Sequence, residues 1–163
     1  MRVFLIGYMA SGKSTLGKRL AQELQLPFVD LDEAIEEKAG AKVAAIIKAK
    51  GELHFRKLES QTLQEVLSNF AEGVFALGGG TPVFFDHMEL LGAHGQTVFL
   101  DVPISELARR LKGDLQRPLI QNQQDVLEFI AKHMFERRPF YSLAKHRVAG
   151  PSITPAQIKA VLD

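Results

Sequence analysis

Residues 3–15 read VFLIGYMASGKST, a short apolar run followed by a glycine-rich turn. The first four residues of this stretch are all apolar, as in a β-strand that is buried on both faces of a parallel sheet. After the turn, Leu16, Leu20 and Leu24 recur every four residues, which predicts a helix with one apolar face. The stretch therefore predicts a strand, a tight turn and a helix, the unit from which α/β folds are built.

The rest of the chain continues this alternation of strand and helix patterns. Short apolar runs predict further strands at residues 28–29, 74–77, 97–100 and 147–149. Helical patterns occupy residues 32–70, with breaks near Gly40 and Gly51, and then residues 104–111, 125–138 and 155–162. We therefore expect a single domain over residues 1–163, an α/β protein with three layers (α/β/α) and a central five-stranded parallel sheet.

Residues 7–14 match the pattern G-x-x-x-x-G-K-[ST], which binds the phosphates of nucleoside triphosphates. Its glycines let the backbone approach phosphate oxygens, and the helix that follows directs its positive end at the same anion. Lys13 adds a charge near the β- and γ-phosphates, and the hydroxyl of Ser14 is suited to Mg²⁺. We predict that the nucleotide is ATP, bound by Gly7, Ala10, Ser11, Gly12, Lys13, Ser14 and Thr15.

Two acidic residues, Asp30 and Asp32, follow the second predicted strand. Ligands of open α/β sheets bind at this end of the strands. Asp30 is a candidate for holding the hydration shell of Mg²⁺, an ion that takes few protein carboxylates. Asp32 could bind the hydroxyls of an acceptor or take the proton of the attacking one, but it could equally cap the helix that follows.

Arg56 and Glu59 lie three residues apart in a predicted helix and so share one face of it. One interpretation of this spacing is a solvated ion pair. The other is a grip on an anionic substrate by Arg56, with Glu59 in an orienting role. Residues 78–80, three consecutive glycines, end the third predicted strand. Because such a run costs backbone entropy, we expect a ligand or another chain segment to lie directly on its backbone.

The composition excludes several other classes of protein. Lys plus Arg total 20 and Asp plus Glu total 19, without the basic excess that a long nucleic-acid footprint requires. There is no cysteine, so disulfide frameworks and thiolate metal sites are impossible. The longest apolar run near the start, residues 3–6, is too short for a signal peptide or a membrane span, so we expect a soluble cytoplasmic protein.

The polar stretch over residues 112–125 is typical of a long loop, and such loops often act as lids.

In their order along nearly the whole chain, these motifs resemble those of shikimate kinases. The resemblance rests on residues 7–14, Asp30-Leu31-Asp32, Gly51-Glu52 with Phe55-Arg56 and Glu59, residues 78–80, Arg117-Pro118-Leu119, and Arg137 with Pro139 and Tyr141. It implies a P-loop kinase fold in which residues 32–60 form a shikimate-binding region and residues 112–125 a lid. It also implies an enzyme of aromatic amino-acid biosynthesis that transfers a phosphoryl group from ATP to the 3-hydroxyl of shikimate, with Mg²⁺ as cofactor.

The resemblance further implies roles for individual residues. Lys13, Asp32 and Arg117 would be catalytic, with Asp32 as the base and Arg117 closing with the lid onto the transferring phosphoryl group. Substrate contacts would come from Asp32, Arg56, Glu59, Gly78, Gly79, Gly80 and Arg137, metal contacts from Ser14 and Asp30, and a sandwich around adenine from Arg110 and Pro155. The partners would be ATP and shikimate, with no nucleic acid and no membrane, and we expect a monomer.

Two features concern single contacts of the site and not the reaction. Leu77 stands where many members of the family carry a hydroxyl residue before the glycines, and the choice of Arg137 over Arg138 rests on motif spacing. A kinase of gluconate or of a nucleoside monophosphate, and a non-catalytic ATP-binding module, are the competing functions.

Other residues have a structural interpretation from the sequence alone. Phe84 and Phe85 are expected in the hydrophobic core, and Tyr141 is expected to pack with an exposed hydroxyl. Without the resemblance, Arg110 beside Arg109 would be part of a solvated helix face.

Overall fold

The structure, a computed structural model, describes residues 1–112 and 123–163. The strands are β1 (Arg2–Ile6), β2 (Phe28–Asp30), β3 (Gly73–Ala76), β4 (Gln96–Asp101) and β5 (His146–Ala149). They form one parallel sheet in the order β2-β3-β1-β4-β5. The predicted five-stranded parallel sheet is therefore confirmed, and the ends of each strand agree with the prediction to within one residue.

Helices flank this sheet in the described part of the chain. They are α1 (Lys13–Leu24), α2 (Leu31–Ala39), α3 (Val43–Lys50), α4 (Glu52–Asn69), α5 (His87–His94), α6 (Ile104–Lys112), α7 (Gln123–Tyr141) and α8 (Pro155–Leu162), with a short 3₁₀ helix at Thr81–Val83. The breaks between α2, α3 and α4 fall at Gly40 and Gly51, as predicted. Both glycines have a positive φ, 67° and 88°, which glycine adopts without steric strain.

The core is built around β1, the central strand, whose apolar residues 3–6 are fully buried. Phe4 pairs in register with Phe75 of β3, and their ring centroids are 5.1 Å apart. On the helix side, a Cβ atom at Gly17 of α1 would lie 2.5 Å from the ring of Phe28, so α1 packs closely on the sheet. Cover on both faces explains why the strands are continuous apolar runs without alternation.

The parallel arrangement brings the sequence motifs together. The carboxyl ends of β1, β2 and β3 meet at one edge of the sheet because these strands are neighbours that run in the same direction. Residues 7–12 follow β1, Asp30 ends β2, and residues 78–80 follow β3. The motifs therefore lie side by side where open α/β sheets bind their ligands.

Two elements differ from the prediction. Helix α7 runs through Pro139 to Tyr141, whereas the helical pattern was expected to end at residue 138. Proline removes one helical hydrogen bond, but bonding resumes beyond it, since the amide of Ser142 donates to the carbonyl of Arg138 at 2.9 Å. Helix α5 was not predicted, because its eight residues carry too little apolar periodicity. No helix within residues 1–112 and 123–163 has the length and apolar character needed to cross a membrane.

Candidate active site

The phosphate loop, residues 7–12, turns directly from β1 into α1. Gly12 is the N-cap of α1 with a φ of 94°, a left-handed conformation that favours glycine. At Gly7, a Cβ atom would lie 2.9 Å from the carbonyl oxygen of Leu100 and 2.9 Å from Ser11 Oγ. Both glycines of the pattern are therefore required by the local geometry. The loop leads into the N-terminus of α1, where the helix dipole stabilises an anion.

Lys13 is the first residue of α1, and its side chain folds back over the loop. Its Nζ donates hydrogen bonds to the carbonyl oxygens of Gly7 at 2.7 Å and Tyr8 at 2.9 Å. Burial lowers the pKa of Lys13 to about 8, while the charges of Asp32 and Asp30 act in the opposite direction. A bound triphosphate would bring negative charge and so favour the protonated ammonium.

Ser14 and Asp30 lie side by side at the other edge of the loop. Ser14 Oγ donates a hydrogen bond to Asp30 Oδ2. The second oxygen, Oδ1, accepts a 3.2 Å bond from the amide of Glu33, so Asp30 is the N-cap of α2. The cap interpretation considered for Asp32 therefore applies to Asp30 instead.

The pair of Ser14 and Asp30 fits Mg²⁺ bound together with a nucleotide. One hydroxyl and one carboxylate leave most of an octahedral shell to water and phosphate oxygens, which is how Mg²⁺ is usually held. Leu77 lines the same cavity, and its side chain carries no oxygen. Among the described residues, no group of three or more His, Cys, Asp or Glu is placed to hold a metal ion by itself.

Asp32 lies in the first turn of α2 and lines two adjoining cavities. The first, about 310 Å³, is also lined by Lys13 and Ser14. The second, about 190 Å³, is also lined by Arg56 and Arg137. Asp32 therefore stands between a cavity for phosphate and a cavity with two cations.

The environment of Asp32 disfavours its charged form. Burial, followed by the charges of Asp30 and Glu59, raises the pKa of Asp32 from 3.8 to about 6. A carboxyl group with this pKa is ionised at neutral pH and is a better proton acceptor than an ordinary aspartate.

Arg56 and Glu59 form a buried ion pair, so the interpretation as a solvated pair is wrong. Arg56 Nη1 donates to both carboxylate oxygens of Glu59, at 3.0 and 3.2 Å, and the two residues are 8% and 1% exposed. The Nε of Arg56 is buried and has no hydrogen-bond partner among the described residues. A buried donor without a partner is costly, so this edge of the guanidinium is suited to an anionic ligand.

Charged side chains lie directly on the glycine triplet. A Cβ atom added at Gly80 would lie 2.8 Å from Arg56 Cζ. A Cβ atom added at Gly79 would lie 3.1 Å from Arg137 Nη1, and one added at Gly78 would lie 3.1 Å from Asp32 Oδ1. The expectation that something lies on this backbone is confirmed, and the neighbours are side chains of the site itself. Glycine suits these three positions because a larger residue would crowd the two arginines and the aspartate that contact this backbone.

Arg137 and Arg138 are adjacent on α7 and have different partners. Arg138 makes two hydrogen bonds of 3.1 Å to the carboxylate of Asp101. Arg137 lines the second cavity, and its guanidinium carbon is 5.7 Å from the centroid of the Tyr8 ring. Arg137 is therefore the arginine that faces the site, in agreement with the motif spacing.

Arg110 joins the phosphate loop to the chain after β5. Its Nη1 donates to the carbonyl oxygen of Ala10 and its Nη2 to that of Pro151, both at 2.8 Å. The interpretation as a solvated helix face therefore holds for Arg109, whose side chain is 73% exposed, and not for Arg110. Because Ala10 has a φ of 65°, Arg110 holds the loop at a strained residue.

The predicted nucleotide contacts stay predictions, those of Pro155 and Arg117 included. Pro155 is the buried first residue of α8. Arg117 lies outside the described residues, as does most of the predicted lid at residues 112–125.

The prediction that Phe84 and Phe85 belong to the core is wrong. Phe85 is 52% exposed and has a φ of 53°, since it lies in the turn that leads into α5. Phe84 is half-buried, and the centroid of its ring is 4.4 Å from Arg56 Cζ. Two adjacent phenylalanines give no signal in the sequence that one of them stacks on an arginine.

Thr81 and Tyr141 also contact the site and were not identified as doing so from the sequence. Thr81 Oγ1 donates a 2.9 Å hydrogen bond to Glu59 Oε2. Tyr141 is fully buried, and its hydroxyl donates to the carbonyl oxygen of Gly79 at 2.6 Å. The prediction that this hydroxyl is exposed is therefore wrong. The available signals were weak: Thr81 directly follows the glycines, and Tyr141 lies one helical turn after Arg137.

Comparisons with known proteins agree with this geometry. A family model described as shikimate kinase matches residues 9–162. A shikimate kinase from Phocaeicola vulgatus is 46% identical over 166 residues, covering 99% of this chain and 94% of the relative.

Solved structures are similar over the same length. The crystal structure of a shikimate kinase from Bacteroides thetaiotaomicron superposes with a TM-score of 0.93 at 36% identity, covering 99% of this chain and 98% of that one. The shikimate kinase from Acinetobacter baumannii, solved in complex with shikimate, superposes with a TM-score of 0.87 at 31% identity, covering 99% of this chain and 90% of that one.

Proposed function

The chain belongs to the shikimate kinase family and phosphorylates shikimate with ATP, and we propose that the two cavities joined at Asp32 hold these two substrates. The phosphates of ATP occupy the cavity at Lys13 and Ser14, and shikimate occupies the cavity at Arg56 and Arg137. The product is shikimate 3-phosphate.

The observation that carries this proposal is that Arg56, Arg137 and Asp32 line the smaller cavity together. Arg56 and Arg137 suit the carboxylate of a small acid, because guanidinium groups bind carboxylates through parallel hydrogen bonds. Asp32 suits the hydroxyls of the same molecule, and Gly79 and Gly80, which also line the cavity, leave room for the two arginines beside it. The cavity volume of about 190 Å³ fits a small ring better than a nucleotide.

The transfer step requires positioning and charge stabilisation. The 3-hydroxyl oxygen of shikimate bonds to the γ-phosphorus, the bond from that phosphorus to the β–γ bridging oxygen breaks, and ADP leaves with the electron pair. The hydroxyl proton passes to the Asp32 carboxylate, which its raised pKa favours. Lys13 stabilises the charge that spreads over the phosphoryl oxygens.

Other residues support the nucleotide half of the site. Ser14 and Asp30 would hold Mg²⁺, which neutralises phosphate charge when bound. The phosphate loop and Thr15 bind the triphosphate, and Arg110 with Pro155 flanks the adenine. The predicted roles of Arg117 and of a lid at residues 112–125, which would exclude water and limit ATP hydrolysis, stay predictions, since most of these residues lie outside the described part of the chain.

The domain boundaries and the cellular location are carried over from the sequence-based predictions. Residues 1–163 act as one kinase unit, with shikimate bound mainly by residues 32–60 and the elements around them. The monomeric state and the cytoplasmic location stay predictions.

One assay tests the function against its alternatives. ADP release is measured with shikimate, gluconate, a nucleoside monophosphate or no acceptor, at equal ATP and Mg²⁺ concentrations. We expect release only with shikimate, in step with the appearance of shikimate 3-phosphate by phosphorus NMR. Faster release with gluconate or a nucleotide would identify another small-molecule kinase, and no release with any acceptor would identify an ATP-binding module.

A further inference from the structure

The segment that follows the glycine triplet, Thr81 to Phe84, packs around the guanidinium of Arg56. Thr81 is fully buried and donates its hydroxyl hydrogen to Glu59 Oε2 at 2.9 Å. Phe84 places its ring 4.4 Å from Arg56 Cζ, and Phe55 places its ring 5.1 Å from the same carbon. Arg56 is therefore held through its ion-pair partner and against two aromatic faces.

These contacts leave one edge of Arg56 for a ligand. Nη1 is occupied by Glu59. Nε has no hydrogen-bond partner among the described residues, and Nη2 makes a long ion pair of 3.6 Å with Glu52, whose side chain is 63% exposed. Because Nε–H and one Nη2–H point to the same side of the planar group, this edge can bind both oxygens of a carboxylate at once.

We infer that Thr81 and Phe84 are positioning residues that set the Nε–Nη2 edge of Arg56 for the carboxylate of the acceptor. The inference rests on the proposed function and adds two residues that act on the substrate only through Arg56. The Thr81 hydroxyl holds Oε2 of Glu59 in place, which in turn fixes the rotation of the guanidinium about its bond to the side chain. The Phe84 ring holds the guanidinium carbon 4.4 Å from its centroid, since cations are attracted to aromatic faces.

A second contact holds this segment on α4. His87 Nδ1 lies 2.8 Å from the carbonyl oxygen of Thr81, and its Nε2 lies 3.0 Å from Ser60 Oγ. A carbonyl oxygen only accepts, so Nδ1 carries the hydrogen and Nε2 accepts from the Ser60 hydroxyl. The backbone at Thr81 is thus fixed independently of its side chain, and Thr81→Val removes only the hydroxyl while it keeps the shape.

The test measures binding by calorimetry with shikimate and with shikimate methyl ester, which keeps the hydroxyls and lacks the negative charge. Thr81→Val should weaken shikimate binding by roughly 10- to 100-fold, the effect of a lost hydrogen bond to a charged group. Binding of the ester should change by less than about threefold, and Thr81→Ser should restore shikimate affinity. Phe84→Leu should weaken shikimate by about two- to fivefold, the effect of a lost cation–π contact.

Thr62→Val is the matched control. Thr62 is a buried threonine of the same helix α4 whose hydroxyl donates to the carbonyl of Leu58 at 2.7 Å, whereas the hydroxyl of Thr81 donates to Glu59. The Thr62→Val substitution should lower the melting temperature and leave the affinity for shikimate unchanged.

The outcomes separate the inference from the proposed function. Unchanged shikimate affinity in both Thr81→Val and Phe84→Leu, or equal loss for shikimate and its ester, would overturn the inference. If Thr81→Val does not fold, Phe84→Leu alone decides, by the same comparison of acid and ester. A parent protein that does not bind shikimate would instead refute the proposed function.

Discussion

Tyr141 donates a 2.6 Å hydrogen bond from its hydroxyl to the carbonyl oxygen of Gly79, which joins the last turn of α7 to the middle of the glycine triplet. Burial raises the pKa of Tyr141, so the hydroxyl stays protonated and acts as the donor. Helix α7 also carries Arg137, so the same helix supplies a cation to the site and fixes the backbone beneath it.

Tyr141→Phe tests this connection by removing one oxygen atom. The ring remains packed on Phe99, at 5.2 Å between centroids, while the partly buried carbonyl of Gly79 loses its donor. We expect the free energy of unfolding in urea to fall by about 0.5–1.5 kcal/mol, the net contribution of a typical hydrogen bond. Shikimate affinity should fall several-fold, with ATP affinity unchanged. Equal stability and equal affinity would mean that water satisfies the carbonyl and that the bond has no functional role.

Arg137→Ala and Arg138→Ala form a matched pair of adjacent substitutions. Arg137→Ala should weaken shikimate binding by about 30-fold to several thousand-fold, since it removes a charged partner from a shielded site. Arg138→Ala should change shikimate affinity by less than about threefold. Asp101 keeps Arg147 as a partner at 2.7 Å, so the loss of stability should be about 1 kcal/mol.

Calorimetry with shikimate and urea unfolding of both variants measure the two effects. If Arg138→Ala weakened shikimate binding more than Arg137→Ala, the assignment of the two arginines would be reversed.

The raised pKa of Asp32 predicts two dependences on pH that Asp32→Asn should abolish. Between about pH 4 and pH 6, folded chains hold a proton on Asp32 that unfolded chains have released, so this group lowers the stability as the pH rises. Relative to the parent, the Asn variant should therefore gain about 2–3 kcal/mol in free energy of unfolding between pH 4 and pH 7. In the parent, kcat/KM for shikimate should rise through about pH 6 as Asp32 ionises.

Urea unfolding and steady-state kinetics from pH 4 to pH 8 measure these effects. The Asn variant should have a much lower kcat and no acidic limb in its kcat/KM profile. A parent profile without any change near pH 6, together with a normal rate in Asp32→Asn, would remove Asp32 as the proton acceptor.

Lys13→Ala should abolish measurable turnover and weaken ATP binding by about 30-fold to several thousand-fold. Because the pKa of Lys13 is lowered to about 8, ATP affinity of the parent should begin to fall as the pH rises above this value, and that fall should be absent in the variant. Lys18→Ala is the control: Lys18 lies on the same helix, is exposed and has its Nζ 5.9 Å from the Phe28 ring centroid. Fluorescence titration with a labelled ATP analogue measures the affinity of each variant, and ADP release in the presence of shikimate measures its turnover. Turnover of Lys13→Ala near that of Lys18→Ala would contradict the phosphate-loop assignment.

The strand, loop and helix at residues 3–24 were predictable because their signals are local. Apolar runs, glycine positions and a four-residue repeat depend on backbone sterics and on one amphipathic face, and both act over short distances. The same is true of the breaks at Gly40 and Gly51. Helix α5 lacks such a repeat and was missed for that reason.

The state of each charged residue was not predictable, because it depends on contacts between distant segments. Arg56 and Glu59 are spaced for an ion pair in any helix, but the pair is buried because the segment after the glycine triplet covers it. Asp30 took the capping role considered for Asp32, which left Asp32 in the wall between two cavities.

By itself, the sequence determined the fold class, the position of the phosphate loop and the set of residue types that serve the site. Only the tertiary structure decided which of two adjacent arginines lines the cavity beside Arg56 and Asp32. Successive residues of a helix point about 100° apart, and Asp101 at the end of β4 is placed to bind Arg138 and not Arg137. Both residues are arginines with the same helical propensity, so the packing of α7 against the sheet decides which of them lines the cavity.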